Sequence, residues 1–484
     1  MFRTPSSQRL SAGLPVPPAM RNPSLNIPAR SRLIRALVAG SVLIGGVFTA
    51  PAQAQQNSIP VVRDAEIEAL VRDYARPIFK AAGLANSGVN IVLVNDPSFN
   101  AFVAGRRMFI NTGALLASET PNEIIGVIAH EAGHIAGGHQ ERLREQLARA
   151  QTMAIVAGLL GVGATIAGAA TKSGSIAQAG SGIALGATEM ARRGLLGYQR
   201  TEEATADRSA LDYLEATGQS AKGMLTTFGR FASALSLSGT RVDPYQVSHP
   251  MPRDRIANLQ TLAQKSPYFD KKDPEALQER HDMMRAKIAV YTQGQAAASR
   301  LLRKDPRGLA MMYGDAIATY LYGSPKSALQ KVDALIKAHP KNPYFHELRG
   351  DILIKANKPA EAAQAYASAV KLDPAKSGIL QVSYGQALLA TGKPDAVEKA
   401  VAEIRKGIDR DRENISAYRY LAQAYGQLGE IGEAELATAE GYFYSGVYQD
   451  AKVFAARAQQ KLKRGSPAWV RAQDIINYKA PGKK

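Results

Sequence analysis

The chain has 484 residues, 45% of them hydrophobic, with 60 Lys plus Arg against 42 Asp plus Glu and a net charge of +18. That length suits two or three domains with real cores, and the absence of cysteine excludes disulfides and any thiolate metal site. The positive balance fits an acidic partner or an anionic membrane surface, but no nucleic-acid motif accompanies it, so nucleic acid is not an expected partner.

Six of the eighteen excess positive charges (Arg3, Arg9, Arg21, Arg30, Arg32, Arg35) lie in the first 54 residues, which hold no acid. Arg30, Arg32 and Arg35 precede the apolar run ALVAGSVLIGGVFTA, and Ala52-Gln53-Ala54 forms a small-x-small cleavage site. Residues 1–54 read as a cleaved signal peptide, exporting the chain to the periplasm. An uncleaved membrane anchor is the alternative, although the run is short for a span. Met20 is a second candidate start.

From Asp64 to about Ala82, apolar residues recur at helical spacing. VNIVLVND then predicts a strand, and FNAFVAGRRMFINTG predicts a hairpin turning near Gly105-Arg106. Thr120-Pro121-Asn122-Glu123 offers an N-cap, a proline at the first helical position and a capping glutamate. The helix they open runs straight into HEAGHIAGGHQ, His130 to Gln140.

His130 and His134 are four residues apart, so on a helix they share one face and can bind one zinc ion. Glu131 lies beside them, placed to take a proton from a water that the metal makes acidic near neutral pH. Three of the seven histidines cluster here. The metzincin pattern H-E-x-x-H-x-x-G-x-x-H is matched as far as Gly137, but its last histidine would fall on Gln140. His139 comes one place early and reads as a surface histidine, or as one that backs a ligand.

Residues 151–190 form a Gly/Ala-rich apolar insert, with no charge from Gln151 to Thr171. Two readings stand: a helical hairpin covering the active cleft, and peripheral membrane contact. Beyond the insert, QRTEEATADRSALDYL places Glu203 and Asp207 four apart on a predicted helix that Ala204 and Ala206 keep slim. Glu203 would complete a His₂Glu site, and Asp207 could orient a ligand histidine through its other ring nitrogen. A solvated acidic helix face is the plain alternative. In VSHPMPRDRIANL, His249 precedes a proline and Arg255 opens a helical run. His249 could donate to an oxyanion, ligate the zinc as a fourth protein ligand in a closed, latent site, or be a structural loop residue.

After about residue 300 short paired helices are expected. In the segment from Pro343, Gly350, Ala362, Tyr366, Ala369 and Pro374 occupy the small and aromatic positions of the 34-residue tetratricopeptide unit. Ala316, Ala328 and Pro340 fit the frame upstream, and Tyr418, Ala422, Tyr425 and Ala434 fit it downstream. A degenerate copy lies around Tyr384-Gly385. Such units bury their apolar faces by stacking on one another, and four of them give a groove suited to a partner protein.

HEAGH, EATAD at 203–207 and HPMPRDRI at 249–256 together resemble the signature of the gluzincin family that includes the HtpX and CAAX-prenyl-type proteases. The resemblance implies Glu131 as catalytic base, and His130, His134 and Glu203 as ligands of one zinc per chain. FINTGALL is similar to that family's substrate-binding edge strand, which makes Phe109, Ile110 and Asn111 candidates for pairing with an extended substrate. For an exported member with a repeat array, the resemblance implies unfolded or misassembled outer-membrane proteins as substrates and the outer-membrane assembly machinery as a partner of the groove. The expected fold is mainly α with a small β-sheet: a zincin-type metalloprotease domain over 60–265, a helical linker over 266–305, a tetratricopeptide α-solenoid over 306–465 and a tail over 466–484. Its expected function is periplasmic zinc endopeptidase, with Arg255 and His249 as further catalytic candidates. A zinc-latent chaperone or scaffold is the alternative, and the intact Glu131 favours the enzyme.

Overall fold

The computed structural model describes residues 59–149, 151–152, 156, 197–238, 249 and 253–480. The expected leader over 1–54 and nearly all of the 151–190 insert lie outside the described residues. Among the described residues no helix is long and apolar enough to cross a membrane.

Strand β1 (Val61–Val62) precedes α1 (Ala65–Ala81). Asp64 caps α1 by accepting from the Ile67 N–H at 2.9 Å. Ile67, Leu70, Val71, Tyr74 and Ile78 form one buried stripe along it. Then come β2 (Asn90–Val94), β3 (Ala101–Ala104) and β4 (Arg107–Asn111). β3 and β4 make the expected hairpin, whose turn is made by Gly105 at φ +60°.

The sheet order is β1-β2-β4-β3, with β2 antiparallel to β1 and parallel to β4. β4 therefore has a partner on each side, β2 along its whole length and β3 from Arg107 to Ile110. This corrects the expectation of Phe109, Ile110 and Asn111 as a substrate-binding edge, because ladder bonds already occupy both sides of the strand. Phe109 and Ile110 are buried, and the Asn111 amide donates to Ser98 Oγ at 3.1 Å. The open edge next to β4 belongs to β3.

Helix α2 (Thr112–Ala117) leads into α3 (Pro121–Ala136). Pro121 sits in the first turn, but the Thr120 side chain makes no capping bond. Glu123 instead accepts from the Glu119 N–H at 3.1 Å. α3 is buried from Pro121 to Gly133. Helices α4 (139–149), α5 (197–216), α6 (Lys222–Ser238) and α7 (Arg253–Ala263) follow. A Cβ on Gly133 would lie 2.9 Å from the Ala206 carbonyl oxygen, and one on Gly126 would lie 2.7 Å from Met224 Cβ. Small residues thus bring α5 and α6 hard against α3, which is how two distant segments come to share one site.

The segment expected to be a linker contains α8 (Glu275–Gln293), buried from His281 to Val290 apart from Asp282. Met284 and Ile288 belong to the core of the first domain, while Met283, Ala286, Ala289 and Val290 belong to that of the repeats. The junction is a shared helix rather than a tether. Its Lys287 pairs with Asp64 at 2.8 Å and Glu66 at 3.0 Å, and Tyr313 donates to the same Glu66 at 2.8 Å.

After α9 (Gln295–Leu301) the helices run in pairs: α10 and α11 (Leu309–Tyr322, Pro325–Ala338), α12 and α13 (Pro343–Lys355, Pro359–Leu372), α14 and α15 (Gly378–Leu389, Pro394–Arg410), α16 and α17 (Ile415–Gln427, Ile431–Tyr444). Ala316, Ala328, Ala362, Tyr366, Ala369, Tyr418 and Tyr425 are buried as the repeat frame requires. The residues expected as a tail instead supply α19 (Pro467–Asn477), which packs with α18 (Tyr448–Gln459) through Ala468, Ala472 and Ile475. Arg107 meets Glu413 at 2.6 Å and Arg63 meets Asp411, so the loop before α16 touches the first domain.

Candidate metal centre

His130 and His134 stand one turn apart on α3, Glu203 and Asp207 one turn apart on α5, and His249 comes in from the segment before α7. His130, His134, Glu203 and His249 each offer a ligand atom, all within 4.8 Å of one another. His130 Nε2 lies 3.1 Å from His134 Nε2 and 3.3 Å from His249 Nδ1. Glu203 oxygens lie 3.3 Å from His130 Nε2, 3.3 Å from His134 Nε2 and 3.0 Å from His249 Nδ1. Three ring nitrogens and a carboxylate aimed at one point hold more lone pairs than protons to share among them. A metal ion relieves that crowding, and the residues form a group able to hold one.

The charges follow from the packing. Burial pushes the Glu203 carboxyl up, but hydrogen bonds from His130, His134 and His249 outweigh it and hold the group far below the usual carboxylate range. Burial opposes charge on His130, yet Asp207 and Glu203 raise it to about 9. Glu131 is fully buried and its carboxyl is pushed up by burial to about 7. Its Oε1 lies 3.4 Å from His249 Nε2.

His130 turns its other ring nitrogen, Nδ1, to Asp207 Oδ1 at 3.0 Å. Arg255 holds Asp207 with Nε at 2.5 Å and Nη2 at 2.8 Å, reaches Glu203 Oε2 with Nη1 at 3.0 Å, and lies 5.5 Å over the Phe228 ring. Asp207 therefore stands behind a candidate ligand, and Arg255 behind both carboxylates. His249 presents one ring nitrogen to the ligand atoms and the other to Glu131.

Three neighbouring residues, Glu202, Arg142 and Gln140, were not read from the sequence as parts of the site, and His139 was read as either a surface residue or one that backs a ligand. His139 Nδ1 lies 2.9 Å from His134 Nδ1, and its Nε2 lies 2.7 Å from Glu202 Oε2, which Arg142 also meets at 2.7 Å. Gln140 turns away from the metal group. Its Oε1 accepts from the Gly105 N–H at 2.9 Å, and its amide donates to the Val103 carbonyl. That amide therefore covers part of the open edge of β3. The failed metzincin frame pointed at position 140, but only as a missing ligand.

Residues 62–263 match Peptidase family M48, and residues 323–377 and 347–402 match the tetratricopeptide repeat. The beta-barrel assembly-enhancing protease of Escherichia coli (strain K12) is 23% identical over 421 residues, spanning 85% of this chain and 82% of that protein. A putative beta-barrel assembly-enhancing protease of Vibrio cholerae is 25% identical over 435 residues, 86% of this chain and 84% of that one. The metalloprotease YcaL of Escherichia coli (strain K12) is 31% identical over 191 residues, 38% of this chain and 68% of that protein.

Proposed function

The chain belongs to peptidase family M48 and is a metalloprotease, and from that premise we propose that it is a periplasmic zinc endopeptidase acting in outer-membrane protein quality control. The observation that carries the reading is the convergence of His130, His134 and Glu203 beside a fully buried Glu131. Zinc with N and O ligands at about 2.0–2.1 Å in a tetrahedron needs ligand atoms about 3.3 Å apart. His130 and Glu203 lie 3.0 to 3.3 Å from each other and from His134 and His249, and all four ligand atoms lie within 4.8 Å of one another, so the donor set fits. Zinc so bound would supply Lewis acidity, lowering a water's pKa towards about 7 and polarising a carbonyl oxygen.

Glu131 is the general base in this reading. Burial holds its carboxyl near 7, so it can take a proton from attacking water and return it to the leaving amine. Asp207, 3.0 Å from His130 Nδ1, places a negative charge at that edge of the ring and favours the tautomer that leaves Nε2 free to ligate. Arg255 positions Asp207 and Glu203. We assign His249 as a fourth ligand that keeps the site latent, a role supported by its Nδ1 distances to His130 and Glu203. An extended substrate would pair with the open edge of β3, which packs against α3. In the repeats, a cavity of about 400 Å³ lined by Arg405, Tyr418, Leu421, Tyr425, Leu436 and Arg471 offers a place for a protein partner. We propose that this groove recruits unfolded outer-membrane proteins or their assembly machinery.

The second reading, a zinc-latent chaperone or scaffold, is favoured by His249 alone. Degradation of an unfolded outer-membrane barrel protein by the mature chain, beside Glu131→Gln and a chelator, separates the two. Cleavage lost in both controls supports the peptidase. No cleavage by the zinc-loaded wild type, nor by zinc-loaded His249→Ala, would leave the scaffold.

A further inference from the structure

We propose that His139 is a positioning residue for His134, accepting a hydrogen bond from the Nδ1–H of that ring and so fixing the tautomer and angle that leave Nε2 open to the metal. The inference rests on the reading of His134 as a ligand and extends it outward along a chain of named atoms. His134 Nε2 faces the ligand group, 3.1 Å from His130 Nε2. A neutral imidazole that ligates through Nε2 carries its proton on Nδ1. That Nδ1 lies 2.9 Å from His139 Nδ1, with the two rings at 87°. His139 must then accept at Nδ1 and carry its own proton on Nε2. That atom lies 2.7 Å from Glu202 Oε2, and Arg142 stands 2.7 Å from the same oxygen. The negative Glu202, held by Arg142, thus stands beside the Nε2 edge of the His139 ring and favours the tautomer whose Nδ1 accepts from His134.

The backbone is shaped for this contact. Gly137 caps α3, Gly138 takes φ +64°, and the chain turns so that the His139 ring folds back over α3. A Cβ on residue 137 would lie 2.2 Å from His139 Nε2, so a side chain there would take the space of the ring. His139 is 4% exposed. His130 is supported in the matching way by Asp207 and Arg255. The two helix histidines thus have separate supports, a carboxylate for one and a neutral imidazole for the other.

The test measures zinc dissociation constants by competition with a chromophoric chelator, and the visible spectrum of the cobalt(II)-substituted chain, for wild type, His139→Ala, His139→Asn and Glu202→Gln. Removal of such a support weakens metal binding about 10–100-fold. His139→Ala should show that loss and an altered cobalt spectrum. His139→Asn, whose Oδ1 can stand in for Nδ1 as acceptor, should recover most of both. Glu202→Gln should fall between, and it carries the test if His139→Ala fails to fold. Wild-type affinity and spectrum in His139→Ala and Glu202→Gln would overturn the proposal, as would a drop in thermal stability with zinc binding unmoved. A wild type that binds no zinc would bring down the ligand reading itself, a result distinct from the other two.

Discussion

Arg255 and Asp207 are joined by two parallel hydrogen bonds, Nε to Oδ2 at 2.5 Å and Nη2 to Oδ1 at 2.8 Å, with Glu203 Oε2 3.0 Å from the remaining nitrogen. Two buried carboxylates one turn apart on a helix repel unless a cation lies between them, and a planar guanidinium can serve both at once. Arg255→Lys keeps the charge and loses the fork. It should weaken zinc binding by about ten-fold or more, read as the free-zinc concentration at half occupancy. Were Arg255 a substrate contact instead, the variant would raise KM and leave zinc affinity alone.

His249 bridges the ligand group and Glu131, with Nδ1 3.0 Å from Glu203 and Nε2 3.4 Å from Glu131. A histidine held there fills the place a catalytic water needs. His249→Ala should therefore raise peptidase activity on an unfolded substrate while zinc remains bound by the other three residues. A fall in kcat at full zinc occupancy would point to the oxyanion role and remove the latency reading.

Gln140 covers the edge of β3 with the Val103 carbonyl and the Gly105 N–H as its partners. A substrate strand would compete for those groups. Each such bond is worth about 0.5–1.5 kcal/mol, so Gln140→Ala should lower KM by up to about ten-fold, measured in the His249→Ala background where turnover is readable. A higher KM would mean that Gln140 holds substrate rather than its place.

Much of this arrangement was legible in the residues, because the chemistry that joins its parts is local to short motifs. His130, Glu131 and His134 follow from helical spacing, and Glu203 with Asp207 repeats that spacing on a helix kept slim by alanine. The repeat frame was readable because small and aromatic residues, among them Gly350 and Tyr366, fall at the set positions of a 34-residue unit. What stayed hidden depends on pairing over long distances. Periodicity cannot say that β2 will pair in parallel beside β4, so the edge fell on β3 instead of Phe109–Asn111. Nor does any local pattern show that Lys287 will meet Asp64 and Glu66 across more than two hundred positions, which turns an expected linker into a shared buried helix. The Glu202 link to His139 was masked by its neighbour: beside Glu203 it looks like one more solvated acid.

His281 on that shared helix is fully buried, its Nε2 3.0 Å from the Ser118 carbonyl and its Nδ1 3.0 Å from the Tyr74 hydroxyl. Burial holds its pKa down to about 4, against about 6.5 in an unfolded chain. Between those values the unfolded chain binds a proton that the native chain does not, so stability rises with pH. The contribution is whole above about 6.5 and is lost as pH falls towards 4, about 3 kcal/mol in all. His281→Gln can still donate to Ser118 but cannot titrate. The urea midpoint of the wild type should therefore fall more steeply from pH 7 to pH 4 than that of the variant, and parallel curves would sink the assignment.

Gly350 and Tyr366 fit each other closely: a Cβ on residue 350 would lie 2.8 Å from three atoms of the Tyr366 ring. The ring cannot easily yield, since it is 1% exposed and its hydroxyl is bonded to Asp351. Gly350→Ala should therefore destabilise the array by about 1–3 kcal/mol through overpacking, although alanine is the better helix former. The cause can be isolated with a double-mutant cycle. In a Tyr366→Leu background the smaller side chain leaves room for the methyl, and Gly350→Ala should there cost little or even stabilise. Equal costs in the two backgrounds, read from urea unfolding, would mean that the tyrosine ring is not what demands the glycine.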